Sequence, residues 1–325
     1  MNTSSIYLTP ELARLLADKA RSFSYAARFL PAEQREATRV LYAFCRTMDD
    51  LVDEPPPGVS PADARRRIAE WRDWLTAGAS AAGRGPDPAC LSTAIGAIVE
   101  SAGVPTGYLL ALLTGVESDL GRVRVSDFAA LHHYCMLVAG VVGLAMSHLL
   151  GVTSEQGRVA AANLGIAMQL TNVLRDVGGD LGRDRIYLPA DEMARFGYSE
   201  DRLRALAAAG GCADEDFRAL MRFQIARTRV YYERGLAGVW LLPPGSRPAI
   251  LAAGRIYRAI LDRIEANDYD VLRRRAITSR LLKIREGLVA HTIVRLWGQH
   301  PPVDDAPLDL EPYRNVEVAQ WRESL

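Results

Sequence analysis

Two acidic segments far apart in the chain share one form: Arg46-Thr47-Met48-Asp49-Asp50-Leu51-Val52-Asp53 and Asn172-Val173-Leu174-Arg175-Asp176-Val177-Gly178-Gly179-Asp180. Each carries Asp-x-x-x-Asp with an arginine just ahead, at the end of an apolar, helix-forming stretch. Four residues of helix rise about 6 Å and turn slightly more than a full circle, so each carboxylate pair shares a face. Carboxylates that close repel unless a cation or proton intervenes. Two such pairs brought face to face would hold divalent metal ions, and the metals would hold a polyanion. Hard oxygen ligands, few of them from protein and the rest from water and phosphate, suit magnesium.

The second segment says more than the first. Gln169, Asn172, Asp176 and Asp180 are spaced by three, four and four, a polar stripe on a helix otherwise made of Ala, Leu, Ile, Met and Val. Buried polar groups are costly unless satisfied, so the stripe implies a partner stripe or a cavity filled with water and ions. A helix end salt-bridged by Arg175, Arg183 and Arg185 is the plainer alternative. Asp49, Asp50 and Asp53 fall at a helix C-terminus, where the macrodipole disfavours acids, so something else must compensate unless they are simply solvated. Arg46 and Arg175 hold matching places before the two motifs, and a guanidinium beside metal-bound phosphate stabilises charge building on a leaving group. Lys19, Arg21 and Ser22 are further donors or ordinary solvated groups. No Gly-rich phosphate loop, Ser-His-Asp set or His-rich metal pattern stands in the sequence. Tyr42, Tyr134, Tyr257 and the neighbouring phenylalanines read as core, or, in a cavity, as aromatic faces that steady a cation.

Helices must position these residues. Thr9-Pro10-Glu11 opens one to about Arg21, and Pro31 opens a second to about Asp53, which Pro55-Pro56-Pro57-Gly58 stops. Ser60-Pro61-Ala62-Asp63 starts a third, through Trp71 and Trp74, and residues 78–88 form a Gly/Ala/Pro linker. Further helices are expected at about 89–102, 105–120, 126–150, 154–180, 199–209, 213–238, 246–266 and 278–298, with a break at Gly178-Gly179 before an irregular Arg-rich stretch to Pro189. Strand signals are nearly absent. One all-α domain over 1–300 follows, with the helices at 31–53, 126–150 and 154–180 at its centre and 301–325 as a polar tail.

The totals exclude several classes. The 325 residues carry 39 basic and 39 acidic groups, and zero net charge argues against a nucleic-acid partner. Arginine outnumbers lysine 37 to two, which suits phosphate binding but equally reflects codon bias. Four cysteines without metal spacing read as buried free thiols of a reducing compartment. The polar start lacks a signal pattern, and the most apolar stretch, Val138 to Val152, reads as too short to span a bilayer. A cytoplasmic protein with peripheral membrane contact is expected, with Arg273-Arg274-Arg275 facing anionic headgroups.

Longer runs carry a resemblance. Ser22-Phe23-Ser24-Tyr25-Ala26, Leu41-Tyr42-Ala43-Phe44-Cys45-Arg46 with the first acidic motif, Tyr134 with Val138-Ala139-Gly140-Val141-Val142-Gly143, Gln169 to Gly178, Arg185-Ile186-Tyr187-Leu188-Pro189 and Tyr257 to Asp262 resemble the squalene/phytoene synthase family, in order over about residues 15–290. The likeness is greatest to its bacterial phytoene-forming members. It implies an all-α isoprenoid-synthase bundle with a central active-site cavity. It also implies magnesium-dependent head-to-head condensation of two geranylgeranyl diphosphates, through prephytoene diphosphate, to phytoene for carotenoid biosynthesis, with two diphosphates released. Manganese is an expected substitute, and no NADPH is expected. The resemblance assigns Asp49, Asp53, Asn172, Asp176 and Asp180 to metal, and Lys19, Arg21, Ser22, Tyr42, Arg46, Gln169, Arg175 and Tyr257 to diphosphate and substrate. The four outer aspartates, the two arginines and Tyr134, beside the cavity, carry the expected catalysis.

One departure stands out: the family usually has Glu where this chain has Gly179. Metal binding is still expected, with one fewer acid near the rim. Ala26 and Ala27 are expected to leave room for twenty-carbon tails, and a bulky residue at Ala27 to shorten that pocket. Two alternatives stay open: a farnesyl-diphosphate-using enzyme making presqualene diphosphate, squalene or dehydrosqualene, and a non-catalytic lipid-binding or assembly relative of the same fold.

Overall fold

A computed structural model describes residues 23–79, 85–86, 91–210 and 213–297. Lys19, Arg21, Ser22, Cys90, Cys212 and the segment 301–325 lie outside the described residues. A single turn, α1 (Phe23–Ala27), leads to Pro31 and into α2 (Ala32–Asp53), whose buried face runs from Thr38 to Leu51 and whose last turn carries the first acidic motif. Helix α3 (Pro61–Thr76) opens on a reciprocal capping box: the Asp63 N–H donates to Ser60 Oγ, and the Ser60 N–H donates to Asp63 Oδ2, each at 3.1 Å. Next come α4 (Leu91–Ala102), α5 (Thr106–Ser118), strand β1 (Val123–Arg124) and α6 (Phe128–Cys135). A π-helical turn, Met136–Gly140, joins α6 to α7 (Val141–Leu149).

The central helix is α8 (Glu155–Arg175), capped by Ser154, whose hydroxyl accepts from the Gly157 N–H at 3.1 Å. It is followed by α9 (Val177–Gly182), β2 (Arg185–Ile186), α10 (Ala190–Arg195), α11 (Glu200–Ala208), α12 (Glu215–Ala237), α13 (Arg247–Ala266) and α14 (Arg280–Trp297). Helices α7, α12 and α13 pack around α8. The α7–α8 approach depends on two glycines: a Cβ on Gly143 would lie 2.2 Å from the Ala161 carbonyl oxygen, and one on Gly165 would lie 2.2 Å from that of Ala139. No other residue lets the backbones pass that closely.

Several expectations need correction. The helix expected over 154–180 stops at Arg175, because Asp176 leaves helical geometry (φ −106°, ψ 12°) and α9 restarts at Val177. Asn172, Asp176 and Asp180 therefore do not form one unbroken stripe. Strands β1 and β2 pair in parallel over two residues, Val123 with Arg185 and Arg124 with Ile186, where only loop was expected. Helix α10, following Pro189, was not foreseen either. The continuous run Phe128–Leu149 has 22 residues, with an 18-residue window of mean hydropathy 1.7, and is long and apolar enough to cross a membrane by length and composition, a longer run than the Val138 to Val152 stretch read from the sequence. Here it lies against α8, with Leu131, Cys135, Val141 and Ala145 buried. Cys45 and Cys135 are free, and burial pushes both thiols well above their usual range.

Candidate active site

The C-terminal turn of α2 and the α8–α9 junction face one cavity of about 600 Å³. Asp49 and Asp53 enter from the first, and Asn172, Asp176 and Asp180 from the second. Arg46, Arg175, Gln169 and Tyr134 also line it. The two sides are joined directly: Arg185 Nη1 donates to Asp53 Oδ1 at 2.5 Å. A second loop closes the cavity from α13 onward. The Gly178 N–H donates to the Val271 carbonyl at 3.3 Å, and a Cβ on Gly178 would stand 2.3 Å from the Leu272 carbonyl oxygen, so glycine is required for this approach. That loop delivers Arg275, which donates to both oxygens of Asp176 at 2.7 and 3.1 Å, beside Arg175 at 2.9 and 2.5 Å. Arg273 and Arg274 line the same cavity, so the whole basic run stands at its wall.

The charges are unevenly compensated. Burial, then the neighbouring Asp53, push the Asp49 carboxyl up to about 7, while Arg46 opposes them. Arg46 is committed elsewhere, with Nη2 2.7 Å from Asp50 Oδ1. Burial and then Asp176 push Asp180 up to about 7, against Arg185 and Arg183. Burial acts the same way on Asp176, but hydrogen bonds from Arg175 and Arg275 outweigh it and hold that carboxyl below the usual range. Asn172 donates from Nδ2 to Gln169 Oε1 at 3.1 Å, and its Oδ1 is buried without a partner.

Those features test the fit of a divalent cation. A buried amide oxygen lacking a donor, and two carboxyls crowded by like charge, are hard oxygen ligands short of positive charge. Among the described residues no three His, Cys, Asp or Glu side chains are grouped so as to hold a metal ion by themselves. An ion bound by one or two carboxylates on each side and by phosphate and water fits such a site. The donor set fits a hard divalent cation.

Three residues absent from the expected set complete the wall. Asp119, at the end of α5, accepts from Tyr134 Oη at 2.8 Å and Tyr187 Oη at 2.6 Å, and the two rings stack 4.9 Å apart. Burial raises the Asp119 carboxyl despite these bonds. Arg185 and Tyr187 lie within the Arg185–Pro189 run that stands out in the sequence; Asp119 has no such signal.

Tyr42 and Tyr257 line a separate apolar cavity of about 290 Å³. Its wall is built from α2, α7, α8, α12 and α13, with Ala26 on α1, Cys45, Met146, Gly165 and Ile256. Val138 belongs to both walls, so the two cavities adjoin. Burial, then Tyr257, push the Tyr42 phenol up to about 12. Ala26 lines this cavity directly, and Ala27 lies behind the wall, in an apolar cluster with Leu150, Val239 and Leu242, which line it.

The family model described as squalene/phytoene synthase matches residues 16–281. The chain belongs to that family. Phytoene synthase 2 of Solanum lycopersicum is 36% identical over 275 residues, covering 82% of this chain and 84% of the relative. The 15-cis-phytoene synthase of Synechocystis is 35% identical over 275 residues, covering 81% and 78%. A solved dehydrosqualene synthase superposes with TM-score 0.75 at 26% identity, over 88% of this chain and 97% of that one. A squalene synthase from Alicyclobacillus acidocaldarius, 24% identical with TM-score 0.69 over 79% of this chain and 93% of that one, shares the fold. The squalene/phytoene synthase family uses prenyl diphosphates and is generally dependent on divalent metal. The all-α architecture expected from the sequence is the fold of these neighbours.

Proposed function

We propose that this chain is a phytoene synthase, a transferase that joins two geranylgeranyl diphosphates head to head, through prephytoene diphosphate, to phytoene. Two diphosphates leave and no reductant is consumed. The observation that carries the reading is the adjoining of a charged cavity, flanked by both acidic motifs, with an apolar one through Val138. Identity near 35% to plant and cyanobacterial phytoene synthases over about four-fifths of the chain supports it.

In this reading Asp49, Asp53, Asn172, Asp176 and Asp180 hold magnesium, for which manganese substitutes. Bound metal would neutralise diphosphate oxygens and polarise the bond to the allylic carbon. Arg46 and Arg175 donate to the departing diphosphate, as do Lys19, Arg21 and Ser22, while Gln169 holds Asn172 in place. The apolar cavity keeps water from the allylic cation, so the double bond of the second substrate attacks it instead. Proton loss then closes the cyclopropane, and a second ionisation, rearrangement and proton loss give the triene. Tyr42 stays protonated in neutral solution and, with Tyr257, presents an aromatic face to the cation. Tyr134, fixed by Asp119, lines the charged cavity. The enzyme works in the cytoplasm, with peripheral contact to a membrane.

Incubating the full chain with magnesium and either geranylgeranyl or farnesyl diphosphate, then identifying the hydrocarbon, tests this. Phytoene from the twenty-carbon substrate supports it. Squalene, dehydrosqualene or presqualene diphosphate from the fifteen-carbon substrate alone would replace it. Turnover of neither would leave the non-catalytic alternative.

A further inference from the structure

Among the described residues, six of the eight exposed large apolar side chains lie between Ile277 and Trp297. Ile277, Leu281, Ile284 and Leu288 are 70%, 79%, 38% and 65% exposed. Their spacing of four, three and four places them on one outward stripe of α14 and the turn before it. The helix is not loosely attached. Its opposite side is packed, with Gly287 against Tyr25 and Phe29 and with Ala290 fully buried in the cluster that includes Leu251 and Ala252 of α13. One apolar face is therefore covered and a second, a row of four large apolar side chains, is bare, and contiguous exposed apolar faces mark interaction surfaces.

The charge around that stripe is one-sided. Between residues 273 and 297 seven side chains are basic and one, Glu286, is acidic, in a chain whose total is zero. Glu286 is buried and accepts from Arg255 at 2.7 Å and from Arg285 at 2.7 Å. No acid of this segment faces outward. Arg273, Arg274 and Arg280 are exposed; Arg273 and Arg274 also stand at the wall of the charged cavity beside Arg275, which reaches Asp176. The stripe thus begins at the edge of the charged cavity.

We infer that α14 with the Arg273–Arg274 turn is a docking face for an anionic lipid bilayer. The apolar stripe sits at the boundary of headgroups and acyl chains, and the arginines meet headgroup phosphates. A symmetric contact with a second copy would set a basic face on a basic face, and nucleic acid gives an apolar stripe nothing to bury against. The inference names the surface for the membrane contact proposed above and does not depend on which prenyl diphosphate reacts. It places the cavity mouth where long-tailed substrates arrive and a hydrocarbon product can leave without crossing water.

Flotation of the full chain with phosphatidylcholine vesicles, with and without about one-third phosphatidylglycerol, tests it. The wild type is expected to float with the anionic vesicles and to be released by salt. Leu281→Glu/Leu288→Glu is expected to weaken binding by about tenfold or more, and Arg280→Glu to weaken it less. Turnover of detergent-dispersed substrate should be unchanged in both, since none of these side chains lines either cavity. No partition of wild type onto anionic vesicles, or undiminished binding by the double variant, would overturn it. So would a homodimer in sedimentation that the same double substitution dissociates, which would give the face to a second copy. Binding is read without substrate, so its failure is separable from failure of the product assay.

Discussion

Arg185 donates to Asp53 at 2.5 Å across 132 positions of sequence, tying the end of the first acidic motif to the strand that follows the second. Arg185 is 6% exposed, and its backbone is held by the pairing of β2 with β1. The two halves of the candidate site are therefore tied by an ion pair whose arginine is buried and whose aspartate is partly solvated.

Removing the guanidinium leaves Asp53 and the crowded Asp180 without their common cation. Arg185→Met is expected to lower stability by about 1–3 kcal/mol, less than a fully buried pair because Asp53 is partly solvated. Urea unfolding without magnesium measures this. A variant as stable as wild type would show that the clamp contributes nothing.

The strand pair is itself pinned by charge. Arg124 donates to both oxygens of Glu200 at 2.7 and 2.6 Å and to the Asp184 carbonyl at 2.6 Å. Hydrogen bonds from Arg124, then Arg204, hold the Glu200 carboxyl down at about 2. A carboxyl depressed in the folded state stabilises it above the unfolded value, about 4.5, and that contribution fades as pH falls toward 2. Arg124→Met should flatten the fall of melting temperature over that window. Parallel curves for the two proteins would contradict the assignment.

Gly179 lines the charged cavity, and a Cβ there meets nothing within 4 Å. Gly179→Glu should therefore fold normally and restore the acid usual in the family. Turnover titrated with magnesium is expected to saturate at lower metal concentration than in wild type. Identical titrations would mean that the extra acid does not reach the metal.

Tail length offers a paired comparison. Ala26→Phe intrudes on the apolar cavity and should shift the product from twenty-carbon toward fifteen-carbon substrate. Ala27→Phe crowds the wall residues Leu150 and Leu242 from behind and should cost about 1–3 kcal/mol while shifting product length less than Ala26→Phe does. Product analysis with both diphosphates decides; a length change from Ala27→Phe alone would reverse the assignment.

The long helices were legible because their signals are local. Pro31 and the Ser60-Pro61-Ala62-Asp63 cap, with the runs of apolar residues around Leu41 and Leu170, place the starts of α2, α3 and α8 and the end of α2 within a residue or two of those observed, whereas α8 ends at Arg175 and not at 180. The break at Asp176 was missed because its cause is distant: the 271–275 loop comes to lie on Gly178 and Asp176, about one hundred residues away in sequence. The pairing of Arg185 with Asp53 and of Asp119 with two tyrosines is tertiary in the same sense. The acidic spacing showed which carboxylates could meet, but not which arginines would already neutralise them.

The most direct test of a shared diphosphate site is a crystal structure of the full chain with manganese and geranylgeranyl thiodiphosphate, whose bridging sulfur resists ionisation. Anomalous peaks between Asp49 and Asp53 on one side and Asn172, Asp176 and Asp180 on the other, with the analogue's phosphates bridging them and its tail past Val138, are the expected result. Metal on one acidic segment alone, or a diphosphate bound outside the cavity, would contradict it.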